Sequence, residues 1–176
     1  SANLGDNLLY ALEFVYEGGE GLSNSFATGG ISIAQTTEDI SAWALDLRLD
    51  WLFHDDNNSR ASLELLFASG DDDRLSTSDT FGGNLPGTDD NAFNGFGLVN
   101  TGLAFGAPTS NLAMVRLGAS TFPCRSNELF ERFQVGINVF GFFKLDEDAP
   151  IDETTTNDSY LGVETDLYAY WQRAVG

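Results

Sequence analysis

From Trp43 to His54 the chain alternates almost without fault. Trp43, Leu45, Leu47, Leu49, Trp51 and Phe53 fall on one side, and Ala44, Asp46, Arg48, Asp50 and His54 on the other, with Leu52 the one exception. Wound as a helix, these charges would scatter around the circumference. An extended strand, whose side chains point to opposite faces in turn, sorts them. The segment is about 11 residues long, the length a tilted strand needs to cross the hydrocarbon of a bilayer.

The same period recurs along the chain. Leu8, Tyr10, Leu12, Phe14 and Tyr16 form one apolar face with Glu13 opposite. Leu63, Leu65 and Phe67 oppose Ser62 and Glu64, and Ala113, Val115, Leu117 and Ala119 oppose Arg116. In 129–144, Phe133, Val135, Ile137 and Val139 oppose Arg132, Gln134, Gly136 and Asn138. In 160–172, Leu161, Val163, Leu167, Ala169 and Trp171 oppose Glu164 and Asp166. A glycine-interrupted run over 95–106 is expected as a further strand, and an eighth is expected around 27–35.

Turn-forming residues separate these runs, as in His54-Asp55-Asp56-Asn57-Asn58-Ser59 and Gly106-Ala107-Pro108-Thr109. Longer acidic loops are expected at 18–39, 70–94 and 146–158. Nothing shows a helical period with caps. The expectation is therefore a single all-β domain over 1–176, an antiparallel up-and-down outer-membrane-type β-barrel or a segment of one.

A soluble sandwich also alternates, so the period alone does not choose. Three features favour the membrane barrel. Several strands exceed the five or six residues usual in globular sheets. The polar faces carry charges of both signs at mid-strand, which suits a water-filled lumen. Aromatics gather toward strand ends: Tyr10 and Tyr16, Trp43, Trp51 and Phe53, then Phe140, Phe142 and Phe143, then Tyr168, Tyr170 and Trp171. An odd strand count, and a chain that stops just after the last strand, point to consecutive hairpins of a larger barrel.

Five stretches carry a resemblance to a known family: WALDLRLDWLF (43–53), LELLFASGDDDR (63–74), FGGNLPGTDDNAFNGFGLVNTGLAFG (81–106), NLAMVRLGAS (111–120) and LGVETDLYAYW (161–171). Together they resemble the alginate-export family of outer-membrane β-barrels, especially its divergent planctomycete-like members, and would correspond to the later part of such a barrel. The resemblance implies a passive channel in the bacterial outer membrane, with lipid around it and small solutes or oligosaccharides inside it. Family pores for an acidic polysaccharide are lined with arginine. Here the expected pore-lining residues are Asp46, Arg48, Asp50, Arg116, Arg132, Glu164 and Asp166. Acids outnumber bases in that set, so a mixed or cation preference is expected and a polyuronate is not.

Composition narrows the partners. Eight Lys and Arg stand against 27 Asp and Glu, a formal net charge of -19. Nucleic acid needs a basic footprint, as does docking on anionic lipid through a polybasic patch, so neither is expected. A single cysteine, Cys124, excludes an intrachain disulfide. The first ten residues lack the basic and apolar regions of a signal peptide, so the chain is expected to be processed or part of something longer.

No catalytic motif is present, and no enzyme is expected. The one histidine, His54, has no second imidazole or thiol near it in sequence and reads as a turn residue. Asp71, Asp72 and Asp73, with Asp79, Asp89 and Asp90 further along the same loop, offer hard oxygen ligands of the kind Ca²⁺ takes. The glycine of an EF-hand is absent after Asp71, so a solvated acidic loop is the competing reading. The rival to the channel is a secreted acidic β-rich structural or adhesive protein. It would self-assemble into homo-oligomers through unpaired edge strands, with Ca²⁺ as a candidate partner.

Overall fold

The structure, a computed structural model, describes residues 2–3, 6–23, 27–28, 31–32, 34–74, 84–95, 99–151 and 156–172. In chain order the strands are β1 (Ala2–Asn3), β2 (Leu8–Leu22), β3 (Ala27–Thr28), β4 (Ile31–Ser32), β5 (Thr37–Leu52), β6 (Arg60–Ala68), β7 (Leu112–Thr121), β8 (Phe133–Lys144) and β9 (Tyr160–Trp171). No helix occurs among the described residues. Seven strands form one sheet in the order β1-β2-β5-β6-β7-β8-β9, every neighbouring pair antiparallel. Six of the seven are long. Among the described residues β9 pairs only with β8, so the sheet is open and has the form of a barrel segment.

The all-β antiparallel expectation holds, with boundaries moved. Much of the expected loop 18–39 is strand: β2 continues to Leu22 and β5 begins at Thr37, with Gly18 to Leu22 registered against Ser41 to Thr37. Residues 18–22 show no apolar alternation, and pairing rather than pattern makes them extended. The strand expected at 27–35 is, in its described part, a two-residue hairpin of β3 with β4 outside the main sheet. Residues 24–26, 29–30 and 33 lie outside the described set. The strand expected over 95–106 is not one in its described part, residues 95 and 99–106. Its described residues turn, because Gly102 and Gly106 take φ of 93° and 55° and cannot continue an extended ladder. Residues 129–132 are also a turn, stapled by Asn127, whose side chain accepts from Leu129 N and whose carbonyl accepts from Phe130 N.

Register sorts the side chains into two faces. Residues directly opposite across an antiparallel pair share a face. One row therefore reads Leu12, Leu47, Leu65, Val115, Gly141 and Val163, and the next reads Tyr10, Leu49, Leu63, Leu117, Val139 and Thr165. This face is apolar apart from Thr165 at the β9 edge, and open: Leu12 is 63% exposed, Leu117 56% and Leu167 76%. The reverse face carries the row Ala11, Arg48, Glu64, Arg116, Phe140 and Glu164.

The buried core lies on the charged face, at one end of it. Leu66, Leu112, Met114, Phe140 and Phe142 are covered by Ala107 and Ile151 from the connecting loops, with Val99 against them. Ala42, Ala44 and Ala68 are covered by Phe93. Phe140 and Phe142, expected in the aromatic girdle, belong instead to this core, stacked with centroids 5.7 Å apart. A break in register after Phe142 leaves Leu161 as an extra residue, and it packs against the same cluster.

Asn111 ties the loops down. It is fully buried, takes φ of 49°, donates from Nδ2 to the carbonyls of Asp146, Ala149 and Pro150, and accepts at Oδ1 from Asp146 N. Asn111→Ala loses these bonds and meets a left-handed backbone that alanine resists, so unfolding free energy should fall by about 2 kcal/mol. Asn111→Gly keeps the backbone and should lose less. Denaturant midpoints of the two variants check this, and equal midpoints would refute the backbone part.

Candidate functional site

The sequence alternation in β5, β6 and β7 puts charges of both signs on one face, and antiparallel register brings them into line. Arg48 and Glu64 are direct cross-strand partners, as are Glu64 and Arg116. Glu64, with a side chain only 1% exposed, sits between the two arginines. Arg48 Nε donates to its Oε1 at 2.9 Å, and Arg116 Nη2 pairs with its Oε2. Arg48 Nη2 also reaches Asp46 Oδ2 at 2.6 Å. Beside this ladder Arg60 holds Asp50 through Nε at 2.8 Å and Nη2 at 2.6 Å. Three guanidiniums thus meet three carboxylates, and this part of the face is locally neutral despite the acidity of the whole chain.

Of the expected lining residues, Asp46, Arg48, Asp50, Arg116, Glu164 and Asp166 do share the charged face. Arg132 does not. It lies one residue before β8 in the turn, is exposed, and among the described residues pairs only with its neighbour Glu131 at 3.5 Å. The local chain there turns on Asn127, so the alternation that seemed to include Arg132 ends at Phe133. Glu64 and Arg60 complete the ladder, and the alternation of β6 already contained them.

Glu164 is not simply a lining charge. Its Oε1 accepts from Leu103 N and Ala104 N at 2.7 Å each, and its Oε2 accepts from Phe105 N at 2.9 Å. One carboxylate therefore satisfies three successive backbone donors of the 102–105 turn and holds that turn against the sheet. Gly102 makes the approach feasible, since a Cβ there would lie 2.4 Å from Glu164 Oε2 and its φ is 93°. The turn is pinned further by Thr101 Oγ1, which donates to Ala107 O, and by Phe105, whose ring lies 4.8 Å from that of Phe142. Glu164→Ala should release the turn and speed amide exchange at 103–105 roughly tenfold. Unchanged exchange rates would show that packing alone holds it.

No protein-family model matches this chain, and no curated protein is significantly similar to it. What the face does must therefore be argued from its own chemistry.

The acidic loop is only partly assembled. Asp71, Asp72 and Asp73 bring one carboxylate oxygen each within 4.8 Å of one another. Asp90 turns away to Arg74, accepting from Nη1 at 2.9 and 3.0 Å. Asp71 is the buried member. Burial pushes its carboxyl above the ordinary range, and its oxygens accept from Asp73 N and Asn91 N at 2.8 Å each. Those bonds give Asp71 a loop-closing role. Asp79 lies outside the described residues. His54 behaves as a turn residue: φ is 52°, and its Nε2 donates to Asp6 O at 2.7 Å.

Proposed function

We propose that the chain forms part of the wall of an outer-membrane β-barrel channel that passes small solutes by diffusion. One observation carries this reading: the open face is lipid-like, and its aromatics stand in two rims. At one end lie Tyr16 and Trp43, which are registered partners, and Phe143 with Tyr160, whose rings are 5.5 Å apart. At the other end lie Trp51 and the registered pair Phe133 and Trp171. The rows between are mainly aliphatic, with Tyr10 and Thr165 at the two ends of one of them. Aromatic rims flanking an aliphatic band are what two membrane–water interfaces select.

Strand length supports the same reading. A 12-residue strand such as β8 rises about 40 Å, which at a tilt near 40° spans the ~30 Å of bilayer hydrocarbon. The loops fold onto the charged face, leaving the apolar one bare. A water-soluble sheet would bury its apolar side and expose its charges. The local phrases that resemble alginate-export barrels belong with this reading as a proposal about descent, and they carry no substrate with them.

The decisive experiment is extraction. A membrane barrel should sediment with membranes, require detergent, and migrate differently on gels before and after boiling. Planar-bilayer recordings should then show discrete conductance steps. A chain that stays monodisperse in buffer without detergent refutes the channel, and chelator-sensitive assembly in that buffer would point to the self-assembling secreted protein instead.

A further inference from the structure

Two glycines let the residues around a cavity on the charged face pack closely. Gly118 of β7 and Gly136 of β8 are neighbours on that face, facing Asn138 and Ser120 in register. A Cβ on Gly118 would lie 2.3 Å from Ser62 Oγ, and one on Gly136 would lie 2.3 Å from the Tyr168 ring. Without these side chains Ser62 and Asn138 can close in on Gly118 and the Tyr168 ring can lie over Gly136. These same residues line a cavity of about 270 Å³ beyond the end of the charge ladder. Drug-sized ligands take ~300 Å³ or more, so this one has room for a single ring-sized solute.

Its chemistry is specific. Ser62, Ser120, Gln134 and Asn138 supply hydroxyls and amides that both donate and accept. Tyr168 and Tyr170, centroids 5.2 Å apart, add two phenol rings, and Tyr170 is exposed. These two were expected in the lipid-facing girdle. Alternation instead places them opposite Gly136 and Gln134, with only Trp171 on the apolar face. Two cationic side chains border the cavity, Arg60 and Arg116, and each already has its carboxylate, Asp50 and Glu64. No surplus positive charge remains to hold an anion.

We propose that this cavity is a binding subsite for one ring of a neutral oligosaccharide. Ring hydroxyls meet the mixed donors and acceptors, and the C–H face of the sugar lies on the tyrosines. The proposal deepens the channel reading and rests on it for the solute's route to this face.

The test uses the full chain in detergent micelles, with maltotriose and cellotriose as neutral probes and a triuronate as the acidic one, followed by calorimetry. Saturable binding of a neutral trisaccharide, with the triuronate at least tenfold weaker, is the expected result. Tyr170→Ala and Gln134→Ala alter exposed or rim positions and should each weaken that binding about tenfold, with unchanged heat-modifiable migration showing that they fold. Preferential binding of the triuronate overturns the proposal, as does binding indifferent to both substitutions. A chain that conducts in bilayers but binds neither neutral sugar loses the subsite and keeps the channel. A chain soluble without detergent that still binds maltotriose loses the channel and keeps the subsite.

Discussion

Glu64→Ala is expected to lower the unfolding free energy by about 3 kcal/mol. The carboxylate is 1% exposed and stands between Arg48 and Arg116. Removing one member of a buried ion cluster strands the other charges, and such losses run to about 3–5 kcal/mol. Two facts hold the value to the lower end. Arg48 keeps Asp46 at 2.6 Å and is half exposed, so it is Arg116, one-fifth exposed, that loses the one carboxylate it has among the described residues. Glu64→Gln, which retains an acceptor, should cost less than the alanine variant. The measurement is a denaturant titration of both variants under the same detergent conditions. A change under 1 kcal/mol for the alanine variant would mean that water already screens the ladder.

Leu117→Arg separates the two environments open to the apolar face. Leu117 sits in a central row between Leu63 and Val139, away from both aromatic rims, and is 56% exposed. Facing lipid near the bilayer midplane, the arginine should cost about 2–4 kcal/mol. Facing water, the same substitution at an exposed strand position should lie within about 0.5 kcal/mol of neutral. Urea unfolding in lipid bilayers reads the difference directly. A neutral outcome there would remove lipid as the partner of this face, even if the protein sedimented with membranes.

How much could be read in advance depends on how local the cause was. Period-two alternation is a property of neighbouring residues, so the faces of β5, β6, β7 and most of β9 were legible, along with Asp46, Arg48, Asp50, Arg116, Glu164 and Asp166 on a common side. Aromatics near strand ends were assigned to one girdle because counting from an end does not reveal which face a residue takes after a bulge or turn. Register then separated Trp43, Trp51, Phe143 and Trp171 from Phe140, Phe142, Tyr168 and Tyr170.

The parts that escaped are those made by distant segments meeting. Residues 18–22 are extended because Thr37 to Ser41 pair with them, and nothing in their own sequence alternates. The 95–106 region looked like a strand until two glycines with positive φ turned it and Glu164, some 60 positions away, took its amides. In sequence Asn111 is one polar residue before a strand, yet its side chain closes a loop nearly 40 residues on.

The sequence by itself determined an antiparallel all-β chain with one apolar and one charged side to its long strands, because side-chain direction in a strand follows from position alone. The tertiary structure decided which charges neutralise one another, which face the loops cover, and where a cavity opens, because these depend on register between strands and on contacts that no local pattern encodes.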